Sequence, residues 1–471
     1  MKVNKKINFF CNKYIIHNNA PLKPIINNIN STKYSKLIKY KLYFIFLYLI
    51  IIFQFKKNKL LSKNISSKWI VITTINPPNS LIYTLLKNKN QWKIIVIGDN
   101  RTKDEEWNKL NSSSKLVYLS LKDQIHLNYN ILKYIPINSY SRKNIGYLYA
   151  IEHGAREIFE IEDNIKIKKL DYIDYSINNS VYETIAFGKS SESKMINPYS
   201  FFGINDIWPR GFRLKDIGKE DNNIFYNLTS TQINLRPLIY QGLINGEADV
   251  DSLFIQTRIG KYDNLNINFD KNCPLLYLPN NYVPINSKNT KYLYDIFPAL
   301  PLLTTINNHI MDIIRGYIIQ KYAWKINGSV IFISSDSYIN DNKCFNKSYF
   351  KKEKYLYFYL DNFLNLLNNK KNSEINNPTI FLINIIEVLV KNKIVSKRDL
   401  NLYKAFFKDL KILGYSFPSF IKLNYNKEKY VFENSFIIMN LLNKQKILLK
   451  NNKNIKLKSH IYSNNSYNKN Y

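Results

Sequence analysis

The hydrophobic positions after residue 66 form short continuous runs separated by stretches with helical spacing. WIVITT (69–74) and WKIIVIGDN (92–100) have the length of strands, and the segment between them has helical spacing. Strand, helix and strand at this separation predict a βαβ unit with a parallel sheet. Because such sheets bind ligands beyond the carboxyl ends of their strands, Thr73, Thr74 and Asp99 are candidate binding residues. A simple turn after the strand is the alternative role for Asp99.

The alternation of strands and helices continues to about residue 300 and then changes. RKNIGYLYAIEHGA (142–155) has helical spacing, and REIFEIEDN (156–164) predicts a strand that ends in acids. Long amphipathic segments follow at 310–326, 355–369, 379–392 and 399–413. The pattern predicts the α/β class, with a mostly parallel sheet in residues 66–300, a helical C-terminal domain in 301–443 and a disordered tail in 444–471.

The amino-terminal segment has the pattern of a membrane anchor. Residues 1–41 contain nine lysines and no acid, and an apolar run, LYFIFLYLIIIF (42–53), follows them before more lysines. This arrangement predicts a transmembrane signal anchor at 42–55, a cytoplasmic arm at 1–41 and a lumenal remainder, as in a single-pass type II protein. A buried helix or strand of the core is the alternative for the apolar run.

The charge of the chain does not predict a nucleic-acid partner. The formal net charge is +33, but only nine of the 68 basic residues are Arg, and the lysines are spread over the whole sequence. Binders of anionic polymers usually cluster their basic residues on one face. In contrast, ten of the 13 glycines and seven of the nine arginines lie between positions 98 and 260. We therefore expect the functional site in that segment.

The acidic strand end is the first candidate for chemistry. Alternation along a strand places Glu160 and Glu162 on one face, and Asp163 follows in the loop. Three carboxylates this close repel one another, and a hard cation such as Mn²⁺ or Mg²⁺ relieves that repulsion. We expect Glu162 and Asp163 to ligate the ion and Glu160 to contact the ligand that the ion holds. A solvated acidic strand end is the alternative.

An anchored α/β domain with an acidic strand end resembles Golgi glycosyltransferases of the GT-A type, in which a DxD motif holds a metal-bound nucleotide sugar. Four longer stretches are similar to the blocks of the STELLO-like family, and the resemblance covers roughly residues 66–360. The stretches are SRKNIGYLYAIEHGAREIFEIEDN, NPYSFFGINDIWPRGF, GLINGEADVDSLFIQTR and IMDIIRGYIIQKYAWKINGSVIF. The acidic strand end of that family reads D-x-D-D, so two of its aspartates are glutamate here.

Two further blocks carry implied site residues. The family's G-D-P-D-V-D block matches residues 246–251, where Asp249 and Asp251 are retained as candidate general bases. Their alternative role is to cap a helix or form a turn. In residues 197–212, Trp208 and Arg210 suit a clamp on sugar or diphosphate, and a rigid packed loop is the alternative. The residues of the first block that the resemblance implies for binding the nucleotide sugar are Arg142, Asn144 and Glu160.

The resemblance implies an enzyme that works on nucleotide sugars. The expected activity is transfer of a sugar from a nucleotide diphosphate sugar to a glycan, lipid or protein acceptor in the Golgi lumen, with Mn²⁺ or Mg²⁺ as cofactor. The alternative is a catalytically weak or inactive scaffold of the same fold. Such a scaffold assists assembly or trafficking of a membrane polysaccharide synthase, which is then its partner.

Overall fold

The computed structural model describes most of the chain between residues 65 and 421. The ranges are 65–87, 91–111, 113–167, 174–175, 185–188, 195–204, 206–217, 224–227, 236–257, 267–269, 274–277, 279–339, 348–369, 372 and 374–421, together with Tyr43. The predicted arm at 1–41, the predicted anchor at 42–55 apart from Tyr43, and the predicted tail at 444–471 lie outside these ranges. Within the described residues, no helix combines the length and the apolar character needed to cross a bilayer.

From Ser66 onward the described residues belong to one compact unit of strands and helices. The strands are β1 (Lys68–Thr73), β2 (Lys93–Ile97), β3 (Leu116–Leu119), β4 (Glu157–Ile161), β5 (Lys166–Ile167), β6 (Ile185–Gly188), β7 (Ile224–Asn227), β8 (Arg236–Gly246), β9 (Leu275–Tyr277), β10 (Asn289–Leu293) and β11 (Gly328–Ile339). The α-helices are α1 (Ser80–Lys87), α2 (Asp104–Leu110), α3 (Leu121–His126), α4 (Lys143–Glu152), α5 (Ser252–Thr257), α6 (Met311–Lys325), α7 (Ser348–Leu367), α8 (Pro378–Lys391) and α9 (Lys397–Ile412).

The strands form one sheet in the order β3-β2-β1-β4-β10-β8-β11-β9-β6-β7, and β5 pairs with β11. The predicted βαβ unit is confirmed, because β1 and β2 are parallel and α1 joins them. Strands β3, β2, β1 and β4 are all parallel, so their carboxyl ends meet at one edge. The α/β class is confirmed.

The sheet contains both parallel and antiparallel pairings. Within residues 66–300, four of the described strand pairings are parallel and three are antiparallel. Strand β11 adds one parallel and two antiparallel pairings. Strand β10 runs antiparallel to both of its neighbours, β4 and β8, and so breaks the parallel run. The sequence pattern identified β1, β2 and β4 but did not determine the direction of strands that pair across long loops.

Both faces of the sheet are covered, which explains the continuous apolar runs. In β1, Trp69 and Val71 pack into one hydrophobic cluster, whereas Ile70 and Ile72 pack into another. Helix α4 lies close against β1 and β2 because Gly146 has no side chain. A Cβ atom at Gly146 would lie 2.6 Å from a methyl carbon of Val71. A strand buried on both faces is typical of parallel α/β sheets.

The helices predicted after residue 300 are present, with local signals at their ends. The Asn377 side chain accepts hydrogen bonds from the first backbone amides of α8, and Ser396 caps α9 in the same way. Gly414 ends α9 in a left-handed conformation with φ 75°. The predicted helical region also contains β11, which pairs with β8 in the sheet. The assignment of residues 301–443 to a separate domain stays a prediction.

Gly246, at the end of β8, offers a test of close backbone packing. Its φ is 77°, and a Cβ atom there would lie 2.1 Å from the carbonyl oxygen of Ile339. Gly414 has a similar φ of 75° but no atom within 4 Å of its Cβ position. We expect Gly414→Ala to cost about 1–2 kcal/mol in unfolding free energy from backbone conformation alone. Gly246→Ala should cost clearly more in chemical denaturation, and equal losses would contradict the packing explanation.

Candidate functional site

The carboxyl edge of the parallel strands brings together residues from β1 and β4. The Thr74 hydroxyl donates a short hydrogen bond to the Asp163 carboxylate, and the Asn76 amide donates to the same oxygen at 2.9 Å. The Asn79 amide donates to the backbone carbonyl of Asp163 at 2.6 Å. Two predicted site residues, Thr74 and Asp163, are therefore in direct contact. Asp163 is held in place by the loop that follows β1.

Asp99, at the end of β2, organises the loop that precedes α4. Its carboxylate accepts hydrogen bonds from the backbone amides of Asn138 at 2.9 Å and Ser139 at 3.1 Å. It also accepts from the amide of Asn100 at 2.7 Å, so the turn role expected as an alternative is observed. The Asp99 carboxylate thereby fixes the segment that carries Tyr140.

Tyr140 is a residue of this edge that the sequence did not indicate. The side chain is half exposed. Burial of its hydroxyl and the negative charges of Glu162 and Asp163 raise the pKa of Tyr140 to about 12. The phenol therefore remains protonated at neutral pH and can donate a hydrogen bond beside the two carboxylates.

Three other residues that were expected to contact the nucleotide lie in different surroundings. The Thr73 hydroxyl oxygen is buried and has no hydrogen-bond partner among the described residues. The buried Arg142 side chain donates to the side-chain oxygen of Gln124, with Nε at 3.1 Å. The buried Asn144 amide exchanges two hydrogen bonds with the backbone of Leu302, at 2.9 and 2.8 Å. Arg142 and Asn144 are thus engaged within the protein, and the nucleotide contact expected for both stays a prediction.

Glu160 is a core residue, in contrast to its expected contact with the nucleotide sugar. It is 0% exposed and lies 2.9 Å from Nη2 of Arg315 and 3.1 Å from Nζ of Lys143. Burial opposes the charge on Arg315, but the Glu160 carboxylate outweighs it and raises the pKa of Arg315 well above its usual value. Because both partners are buried, the ion pair belongs to the packing of α4 and α6 on the sheet.

Glu162 stands closer to solvent, on the same strand face as Glu160. Its carboxylate makes no hydrogen bond or ion pair with the described residues. Burial raises the pKa of Glu162, and the nearby charges of Lys288 and Lys143 act in the opposite direction. The described residues contain no group of three or more His, Cys, Asp or Glu that could hold a metal ion. A cation at this edge therefore has Glu162 and Asp163 as its available carboxylates.

Arg210 is enclosed by carboxylates and does not form an open clamp. Its guanidinium makes two hydrogen bonds to Asp249, both at 3.0 Å, and two to Asp312, at 3.0 and 2.9 Å. Lys288 contacts Asp249 at 3.0 Å. Burial disfavours ionisation of Asp249, but Arg210 and Lys288 outweigh it and hold the pKa of Asp249 well below its usual range. Such a carboxylate is a poor proton acceptor, so the geometry argues against Asp249 as a general base.

Asp251 is a buried cap with a second carboxylate beside it. Its Oδ1 accepts hydrogen bonds from the amides of Leu253 at 2.9 Å and Phe254 at 3.3 Å, at the start of α5. The Tyr357 hydroxyl lies 3.2 Å from the same oxygen and 3.0 Å from the Glu353 carboxylate. Burial and the charge of Glu353 raise the pKa of Asp251 to about 7. The capping role is observed, and the role as general base stays a prediction.

Backbone hydrogen bonds join the segment 197–212 to the segment 246–251. The Arg210 amide donates to the carbonyl of Asp249 at 3.1 Å, and the Asp251 amide donates to the carbonyl of Trp208 at 3.2 Å. The Trp208 ring packs edge-on against Phe254, with ring centroids 4.9 Å apart. The rigid packed loop expected as the alternative for residues 197–212 is therefore what the described part of this segment shows.

The family model of the STELLO glycosyltransferases matches residues 309–453. "Probable glycosyltransferase STELLO2" of Arabidopsis thaliana is 29% identical over 374 residues, which cover 77% of this chain and 47% of the relative. "Probable glycosyltransferase STELLO1" of the same plant is 27% identical over 373 residues, with the same two coverages. The chain is therefore similar to the STELLO glycosyltransferases, and STELLO-like is used below in that sense. It spans about half the length of these curated relatives.

The four STELLO-like blocks meet in the buried ion pairs. Arg210 comes from the second block, Asp249 from the third and Asp312 from the fourth. Glu160 comes from the first block and Arg315 from the fourth. Segments that are far apart along this STELLO-like chain are therefore joined by two groups of buried ion pairs.

Several charged residues of these ion pairs were not among the residues predicted for the site. Asp312 and Arg315 lie inside the fourth STELLO-like block, so the resemblance offered a signal for them. Lys288 stands in a polar run without a recognisable motif, and no local pattern distinguishes it. His309 lies just before α6 and within hydrogen-bond distance of Lys352, a contact between residues 43 positions apart. Only the fold brings these two side chains together.

Proposed function

We propose that this STELLO-like chain transfers a sugar from a nucleotide diphosphate sugar to a glycan, lipid or protein acceptor. The observation that carries the proposal is the acidic edge beyond β1 and β4, where Glu162 and Asp163 lie beside Tyr140 and Thr74. Ligands of α/β sheets bind at such edges. The glycosyltransferase names of the two Arabidopsis relatives support the same reaction class.

A divalent cation, Mn²⁺ or Mg²⁺, is part of the proposal. The described residues contain no group of three or more His, Cys, Asp or Glu, so Glu162, Asp163 and the phosphates of the substrate would hold the ion together. Glu162 has a carboxylate without a hydrogen bond or ion pair to the described residues, and the hydrogen bonds from Thr74 and Asn76 to Asp163 use only one of its oxygens. When bound, the ion neutralises the charge that develops on the diphosphate leaving group.

The protein's own residues hold the reactants around this ion. Thr74 and Asn76 orient Asp163, so its carboxylate needs little reorganisation when the donor binds. The protonated phenol of Tyr140 donates a hydrogen bond to an oxygen of the donor. Lys288, whose side chain is 21% exposed, adds positive charge beside Asp249 and Glu162. A GT-A type of fold, a helical C-terminal domain, a membrane anchor and Golgi residence complete the proposal.

The substitution Asp163→Asn tests the donor site. It removes one of two ligand carboxylates, so we expect manganese-dependent binding of nucleotide sugars to fall below detection in calorimetric titration. The melting temperature should change little, since the side chain lies at the mouth of a loop. Asp361→Asn, which removes an acid on α7 that pairs with Lys215, serves as the control and should bind normally. Undiminished affinity of Asp163→Asn for manganese and nucleotide would locate the donor site elsewhere.

A scaffold function is the second candidate, and one observation favours it. Three predicted site carboxylates, Glu160, Asp249 and Asp251, are buried and bonded within the protein. A scaffold retains these contacts for stability and assists a membrane polysaccharide synthase without turnover. Metal-dependent hydrolysis of nucleotide sugars by the full chain separates the two functions. Tight nucleotide binding without any hydrolysis or transfer across a donor panel favours the scaffold.

A further inference from the structure

His309 is held in a defined orientation immediately before α6. The Asn307 side chain accepts a hydrogen bond from the His309 amide at 2.9 Å, and the His309 carbonyl accepts a short hydrogen bond from Arg210. The imidazole lies 5.2 Å from the Tyr349 ring, measured between ring centroids. Contacts with Asn307, Arg210 and Tyr349 therefore fix the backbone and the ring of His309, although its side chain remains partly accessible to solvent.

The Nε2 atom of His309 lies 3.1 Å from the Nζ atom of Lys352. An ammonium group only donates, so Nε2 accepts and the ring is neutral. Lys352 also lies over the Tyr349 ring, 5.1 Å from its centroid. Within the described part of the chain, no carboxylate lies within ion-pair distance of Lys352. An ammonium and an imidazole thus converge, and no described carboxylate forms an ion pair with the ammonium.

The surrounding charges are mainly positive at this point. Burial, Lys352, Arg210 and Lys288 lower the pKa of His309 to about 4, and Asp312 alone acts in the opposite direction. Asp312 is already bonded to Arg210 through both of its oxygens. The imidazole therefore stays neutral because cations surround it, and an anion at the same position favours its protonation.

We propose that His309 and Lys352 bind a phosphate group between α6 and α7. Phosphate suits the pair because its oxygens accept from both nitrogen atoms, and its charge of about −2 near neutral pH offsets two cations. The assignment of that phosphate to a reactant rests on the proposed function. The two sources are the diphosphate of the sugar donor and a phosphate carried by the acceptor.

The histidine signal provides a test that does not depend on activity. The chain has five histidines, so NMR of histidine-labelled full-length protein resolves few signals, and His309→Asn assigns the relevant one. Inorganic phosphate should move the pKa of His309 from about 4 toward its usual value near 6.5. Lys352→Met should move it in the same direction without phosphate, because a neighbouring cation is removed. If inorganic phosphate left the pKa of His309 unchanged, the proposal would be overturned.

Binding measurements identify the residues. Lys352→Met and His309→Asn should each weaken binding of inorganic phosphate or pyrophosphate about tenfold to a hundredfold in calorimetry, the loss expected for a hydrogen bond to a charged group. Lys354→Met, which removes an exposed lysine two positions along the same helix, is the matched control and should bind normally. Melting curves check that each variant is folded. Equal affinities of Lys352→Met and Lys354→Met would contradict the assignment.

Competition then separates the sources of the phosphate. If the site binds the donor diphosphate, a nucleotide sugar with Mn²⁺ should displace inorganic phosphate from the parent protein but not from Asp163→Asn. If it binds a phosphorylated acceptor, a sugar monophosphate should displace phosphate while the nucleotide sugar binds independently. Phosphate binding without any nucleotide-sugar binding would refute the transferase proposal and leave the phosphate site standing. Absence of phosphate binding would refute the phosphate site and leave the transferase proposal standing.

Discussion

Glu160→Gln is expected to lower the free energy of unfolding by about 3–5 kcal/mol, because it leaves the buried charges of Arg315 and Lys143 without their carboxylate. Glu160 is 0% exposed, so water cannot replace the lost partner. Chemical denaturation of the full chain measures the effect. Glu162→Gln is the matched control, two residues along the strand face, and should change stability by less than about 1 kcal/mol since its carboxylate makes no ion pair.

A double-mutant cycle with Arg315→Gln sharpens the test of the buried pair. The double variant removes both charges, so its loss should be clearly smaller than the sum of the two single losses. The alternative role of Glu160, contact with the nucleotide sugar, predicts another result. Intact stability of Glu160→Gln together with a lost affinity for nucleotide sugar would return Glu160 to the donor site and refute the structural role.

The second large effect concerns pH and the carboxyl pair of Asp251 and Glu353. The pKa of Asp251 is raised to about 7 by burial and by Glu353, whereas its value in the unfolded chain is near 3.9. Between these pH values the folded state binds a proton that the unfolded state has lost. The contribution of Asp251 to stability is therefore full below about pH 4 and falls by about 1.4 kcal/mol per pH unit as pH rises to about 7.

Denaturation curves of the parent and Asp251→Asn at several pH values isolate this contribution. The stability difference between the two proteins should change steadily from pH 4 to pH 7 and level off above it. Arg210 lies near the pair, and Tyr357 bonds to both carboxylates. Both residues are present in the parent protein and in Asp251→Asn, so the comparison isolates the titration of Asp251. In Glu353→Gln, the remaining acid should titrate at lower pH. A pH-independent difference for Asp251→Asn would show that Asp251 is ionised throughout this range.

The elements that the sequence predicted well are those with local signals. The apolar runs of β1 and β2 are confirmed, and so is the helix that ends before Gly154. Helices α8 and α9 follow their caps at Asn377 and Ser396. The meeting of Thr74 with Asp163 also follows from sequence, because parallel strands bring their carboxyl ends to one edge.

The roles of the predicted site residues depended on contacts that no local pattern encodes. Arg210 and Asp249 were separate candidates in separate motifs, yet they form one ion pair. Glu160 carries the same side chain as Glu162, but Arg315, 155 positions away, makes it a core residue. A carboxylate at a strand end is equally compatible with a ligand and with a buried partner, until the residue opposite is known.

The sequence by itself therefore determined the α/β class, the parallel strands of the first half, the carboxyl-terminal helices and the acidic edge. These features depend on periodicity, caps and strand ends, which act over a few residues. Only the tertiary structure decided that β10 runs antiparallel, that Glu160, Asp249 and Asp251 are buried, and that His309 meets Lys352. Those outcomes depend on which distant segments pack together, and packing sets the burial, charge environment and accessibility of each side chain.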